Sequence, residues 1–130
     1  MKFKPIDTGR PVDRRYDYSP AVAVERAGLL FLSGMVSWDA DGNIVGIGDP
    51  EAQARQAFEN LKDTLAASGA TLADVVMETE YVVDMSHYKA IGRVRKQYFQ
   101  SNRPAATLVQ VQRLFRPELL FEIQAIAVLP

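Results

Sequence analysis

Apolar positions recur along this chain with two different periods, and the switches between them mark out the elements. Residues 21–25 and 29–33 read as short strands, and Ala27-Gly28 between them suits a tight hairpin connection. A shorter strand candidate covers residues 3–6. The stretch WDADGNIVG, from Trp38, reads as a loop with Asp41-Gly42 as its turn, and Ser33-Gly34 closes the strand before it. The period then lengthens. Asp49-Pro50-Glu51 is a helix start: aspartate caps free backbone N–H groups, proline tolerates the first helical position and glutamate complements the dipole. Ala54, Ala57, Phe58, Leu61 and Leu65 follow at helical spacing, down to Ser68-Gly69, where glycine can close the helix. Glu51–Arg55 and Arg55–Glu59 are i,i+4 pairs on its exposed side.

Period two returns at residues 75–83, where Val75, Met77, Thr79, Tyr81 and Val83 share one face. Asp84-Met85-Ser86 offers caps for a second helix over residues 87–99, with a predicted buried stripe of Tyr88, Ile91, Val94 and Tyr98. Lys89, Arg93, Arg95 and Lys96 lie mostly off that stripe and read as a solvated face. Ser101-Asn102-Arg103-Pro104 breaks the pattern. Strands over residues 106–112 and 119–128 complete the chain, separated by a loop around Arg116-Pro117. Two helices, each with one apolar stripe, need one sheet to cover, so an α+β fold with both helices on one face of a mixed sheet is expected. In the last strand Leu119, Phe121, Ile123, Ala125 and Ala127 occupy one side, and Leu120, Glu122, Gln124, Ile126 and Val128 the other. Both sides are too apolar for open water, which predicts oligomerisation through the helix-free face.

Composition narrows the function classes. At 130 residues, 48% apolar and 24% charged, the chain has the size and balance of one globular domain, expected over 1–130 with residues 1–15 as an N-terminal extension carrying the short strand. Fifteen basic against sixteen acidic residues give a net charge of −1, so no global positive field draws in nucleic acid or an anionic membrane. With no cysteine and one histidine, His87, thiol chemistry and a multi-histidine metal site are excluded, and His87 itself reads as a solvated first-turn residue. The first fifteen residues lack the apolar core of a signal peptide, and no run approaches the roughly 20 apolar residues that span a bilayer, so a cytoplasmic protein is expected.

Glu122 is the sharpest candidate for chemistry. It sits in LLFEIQAIAV, where every other residue but Gln124 is apolar. A carboxylate there is paired, at a subunit boundary or in a pocket, and desolvation would raise its pKa and make it a general acid or base. The alternative is a strand residue whose carboxylate reaches the sheet edge or an arginine. At Ser33-Gly34 a ligand can approach the backbone closely, or the chain simply turns. Tyr18 precedes a strand, and Trp38 either covers a site or packs.

Taken together, YSPAV (18–22), LFLSG (30–34), QARQAFENLKDTLAASGATLADVV (53–76), DM (84–85), YF (98–99), RPAATLVQV (103–111) and FEIQAIAV (121–128) resemble the Rid proteins, the reactive intermediate deaminases. The likeness runs in order from Tyr18 to Val128. It implies a chorismate-mutase-like α+β fold, a homotrimer whose sheets face inward, and small-molecule sites in the clefts between subunits. It also implies cofactor-independent hydrolysis of enamine or imine intermediates, such as 2-aminoacrylate, to a ketoacid and ammonia. Tyr18, Ser33, Gly34 and Glu122 match the family's site residues, Glu122 as the group that positions the attacking water. The arginine that holds the substrate carboxylate does not match: the family's deaminases read R-P-A-R where this chain reads Arg103-Pro104-Ala105-Ala106. A methyl group cannot imitate a bidentate arginine–carboxylate contact, whose loss costs roughly 10–150-fold in binding. Leu108 makes the same wall more apolar. Arg93, Arg95 and Arg103 are the candidates to replace the missing guanidinium. The expectation is a hydrolase for an imine, enamine or related unsaturated metabolite other than 2-aminoacrylate. The alternatives are a non-catalytic trimeric binding protein of the same fold and, against the charge balance, a ribonuclease.

Overall fold

The computed structural model describes residues 2–130. One six-stranded sheet organises them, built from β1 (Lys4–Ile6), β2 (Ala21–Val24), β3 (Leu29–Met35), β4 (Val75–Val82), β5 (Ala105–Gln110) and β6 (Phe121–Val128) in the spatial order β1-β2-β3-β6-β4-β5. Every pairing is antiparallel except β4 with β5, which are parallel because helix α2 (Tyr88–Phe99) crosses between them. Helices α1 (Pro50–Ala66) and α2 lie side by side on one face, so the α+β architecture expected from the two periods is the one observed.

The local signals act as their chemistry predicts. Asp49 Oδ1 accepts from the Ala52 N–H at 3.0 Å, with Pro50 at the first helical position. Gly69, at φ +75°, lets the chain leave α1 while the Ala70 N–H returns to the Leu65 carbonyl. The core lies between helices and sheet. There Phe58 stacks on Tyr98, meets Phe99 edge-on and lies over Phe121. A smaller cluster of Val12, Val36, Trp38 and Leu119 packs under the loop that follows β3.

Two strands depart from strict alternation. β3 does not end at Ser33-Gly34 but runs on to Met35, and its register against β6 shifts between Leu32 and Met35, so Ser33 and Gly34 together oppose Gln124. β4 slips likewise between Val75 and Met77. The slip carries Val75 to the helix side and leaves Met77 on the other, so the expected single face of Val75, Met77, Thr79, Tyr81 and Val83 does not exist. Glu78, Glu80 and Val82 face the helices instead. Arg95 is correspondingly no solvated residue: Nε and Nη2 donate to the two carboxylate oxygens of Glu80 at 2.5 and 2.6 Å beneath α2. Tyr88, expected in the buried stripe, is exposed, because a 3-10 turn over Met85–His87 leads into α2 and moves its first residue outward. His87 is half-buried rather than solvated, with Nε2 3.9 Å from Asp84. Glu59 approaches Lys62 rather than Arg55.

Candidate active site

A cleft of about 260 Å³ opens where β3 and β6 meet the segment preceding β2. Tyr16, Tyr18, Gly34, Val36, Trp38, Phe115 and Glu122 line it, so three of the sequence-predicted residues, Tyr18, Gly34 and Glu122, come together. Glu122 projects from the helix-free face of β6, opposite Tyr81. The β3 bulge places Gly34 directly beneath its carboxyl: a Cβ at position 34 would lie 2.1 Å from Oε2 and 2.7 Å from Cδ. The missing side chain is what gives the carboxyl its seat. Burial alone pushes the Glu122 pKa above the ordinary carboxylate value. Burial, followed by the negative charge of Asp13, pushes up the Tyr18 phenol, and Glu122 adds to that. Ser33 does not line the cleft. Its Oγ donates to the Ser19 carbonyl at 2.6 Å and its N–H to the Pro20 carbonyl, which fixes the chain immediately after Tyr18.

Aromatic rings form the opposite wall. Tyr16 and Trp38 stack with planes 3° apart and centroids 5.9 Å apart, while Phe115 stands edge-on to both at 80° and 78°. Trp38 therefore packs and borders the site at once: its back rests on the Val12–Val36–Leu119 cluster. The loops that carry these rings are held from beneath by α1. Asn60 Nδ2 donates to the Val36 and Trp38 carbonyls, both at 2.8 Å. Gln53 Nε2 donates to the Glu118 carbonyl at 2.9 Å, and its Oε1 accepts from the Leu120 N–H at 2.8 Å. The N-terminal segment docks on the same loop through the Val12 N–H to the Ala40 carbonyl.

Sequence reasoning missed Tyr16, Val36, Phe115, Gln53 and Asn60. Tyr16 and Phe115 sit in irregular segments, where no period marks a face. Gln53, Ala57, Asn60 and Thr64 do recur on the buried side of α1, and buried amides at that spacing were a legible sign of a loop to be held.

Ala106 and Leu108 are not brought to Glu122 within the chain. By register they stand beside Glu78 and Glu80 on the helix side of the edge strand β5, whereas Glu122 faces the other side. Ala106 borders a separate cavity of about 350 Å³ with Glu78, Gly92, Arg95, Lys96 and Arg103. Of the candidate replacement arginines, Arg95 is committed to Glu80, Arg93 lies 4.0 Å from Glu51 on the surface, and Arg103 reaches the Ala106 cavity. Glu78 is 2% exposed and carries an unpartnered Oε2. Burial, and then the proximity of Glu80, raise its pKa to about 9, against the pull of Arg95. Among the described residues, no group of three or more histidine, aspartate or glutamate side chains is placed to hold a metal ion, and no helix is long and apolar enough to cross a membrane.

Solved structures share this fold over nearly the whole chain. Escherichia coli TdcF, crystallised with bound serine, is 32% identical and superposes with a TM-score of 0.86 over 96% of this chain and 98% of its own. YyfA from Yersinia pestis, of the conserved Rid protein family, gives 27% identity and a TM-score of 0.89, covering 97% and 98% of the two chains. A Mycobacterium tuberculosis member of the YjgF/YER057c/UK114 family is 32% identical, with a TM-score of 0.81 over 97% and 98%. Residues 10–129 match the family described as Endoribonuclease L-PSP. The chain belongs to that family, and the Rid resemblance carried by its motifs is borne out.

Proposed function

We propose that the protein is a hydrolase that deaminates a small imine, enamine or related unsaturated metabolite, with Glu122 as the group that activates water. The single observation that carries this is the carboxyl of Glu122, raised in pKa by burial alone and seated over Gly34 at the mouth of a cleft. As water adds to the carbon of the C=N bond, Glu122 takes one of its protons and passes it to nitrogen, so the C=N bond becomes the single bond of a carbinolamine. The hydroxyl proton of the carbinolamine then goes to nitrogen as the C–N bond breaks, leaving a carbonyl and ammonia. A base of raised pKa suits this step, because it holds a proton more firmly at neutral pH and can hand it on to the nitrogen. Tyr18 and the aromatic wall exclude bulk water from the reacting carbon.

The uncovered face of the sheet supports the assembly implied by the resemblance. Phe31, Met77, Val109 and Val128 are exposed on it, a run of apolar surface that a trimer would bury. In that assembly a neighbouring β5 edge, with Ala106 and Leu108, forms the outer wall of the Glu122 cleft. With alanine at 106, the site selects against small acidic imines. The test is to generate 2-aminoacrylate, 2-iminobutyrate and a neutral imine in the presence of the protein and follow carbonyl release. The reading predicts acceleration of the neutral imine above the two acidic ones. Buffer rates for all three would overturn it, leaving a binding protein of the same fold.

A further inference from the structure

The lining of the Glu122 cleft contains one charged group, and it is an acid. Around that acid stand Tyr16, Tyr18, Trp38 and Phe115, of which Phe115 is 54% exposed and both tyrosines are exposed as well. The parallel pair of Tyr16 and Trp38 meets Phe115 nearly at right angles, so the rings make a corner of two aromatic walls facing a carboxylate. Arginines bonded to the segments that carry the rings are tied to backbone carbonyls: Arg10 donates to Trp38 O at 3.5 Å, and Arg113 to Leu114 O and Phe115 O. None of them lines the cleft.

Aromatic walls attract a cation through the negative faces of the rings, and a half-buried carboxyl with no other charge in the lining adds an opposite charge in its ionised form, the form a bound cation favours. An anionic ligand would meet the same carboxylate as repulsion and find no donor cation among the lining residues this chain supplies, while the neighbouring edge of the proposed trimer would present the side chains of Ala106 and Leu108. We infer that this cleft selects an organic cation: a protonated iminium or ammonium group on a compact apolar body without a carboxylate. This deepens the hydrolase reading and rests on it in taking the cleft as the working site. For the reaction, the cationic form is also the more electrophilic one. Iminium and water then give the carbonyl compound and an ammonium ion, with Glu122 relaying the proton and no other reactant needed.

The test uses three probes with the same tert-butyl body and different charge: tert-butylammonium, tert-butanol and pivalate. Binding to the intact protein is read from the emission of Trp38, the chain's one tryptophan, and by titration calorimetry. The expected result is saturable binding of tert-butylammonium, about tenfold or more tighter than either of the others. Glu122→Gln should remove that preference. Phe115→Leu should weaken the ammonium about threefold to tenfold while leaving tert-butanol unchanged. Equal binding of all three, tighter binding of pivalate, or no calorimetric signal for the ammonium overturns the inference. Imine hydrolysis measured on the same preparation separates the two readings. Turnover without ammonium preference sinks only the cation site, and ammonium preference without turnover sinks only the hydrolase.

Discussion

A methyl group added at Gly34 would overlap Oε2 of Glu122, and the backbone there would accept alanine without strain, since it is not among the positive-φ glycines. What must move is the flexible end of a glutamate rather than the fold. Gly34→Ala is therefore expected to keep its melting temperature within a few degrees and to lose about 10–100-fold in imine hydrolysis, because a misplaced reacting group is costly at that scale. Thermal melts and initial rates on the same sample check this, and an unchanged rate would detach Gly34 from the chemistry. At this scale the sequence was legible where a residue broke its surroundings: an acid in an apolar strand, a glycine at a strand's end, an alanine where family resemblance expects arginine. It was mute for Tyr16 and Phe115, which lie in irregular segments and meet Trp38 only through the tertiary fold.

Among the elements, the helices and strands follow from period, caps and turns, and the bulges do not. A single extra residue in β4 reverses which side chains face the helices, and nothing in VVMETEYV announces it. The consequence is the Glu78–Glu80–Arg95 cluster under α2, which strict alternation puts in solvent. Glu78 carries a testable pH signature. Its folded pKa is raised to about 9 from an ordinary 4.5, so between those values the unfolded chain has released a proton that the folded chain keeps. The group's contribution to stability is thus fully present below about pH 4.5 and is lost as pH climbs toward 9. Glu78→Gln keeps the shape, can still donate to Glu80 and does not ionise. It should raise the melting temperature at pH 8 by several degrees, on the order of 1–2 kcal/mol, and by much less at pH 5. A larger gain at pH 5 would mean that Glu78 is ionised in the folded protein.

For the molecule as a whole, the sheet has two faces and the chain supplies helices for one of them. Periodicity made that imbalance readable before any coordinates, since both sides of β6 are apolar apart from Glu122 and Gln124. In the proposed trimer a second chain covers the other face and brings the wall that carries Ala106 toward Glu122, which the pairing within one chain does not do. The account expects sedimentation at micromolar concentration to give about three times the 14.5 kDa chain mass, with Phe31→Glu shifting the protein to monomer and lowering activity in proportion. A monomeric wild-type protein that still turns over imines would place the complete site within one chain. The central claim remains that Glu122 handles the water, and the most direct measurement is the initial rate of carbonyl release by Glu122→Gln against wild type. The account predicts a fall of about 100-fold or more, with melting temperature and assembly unchanged. A rate within about twofold of wild type, at a fold and mass equally intact, would contradict it.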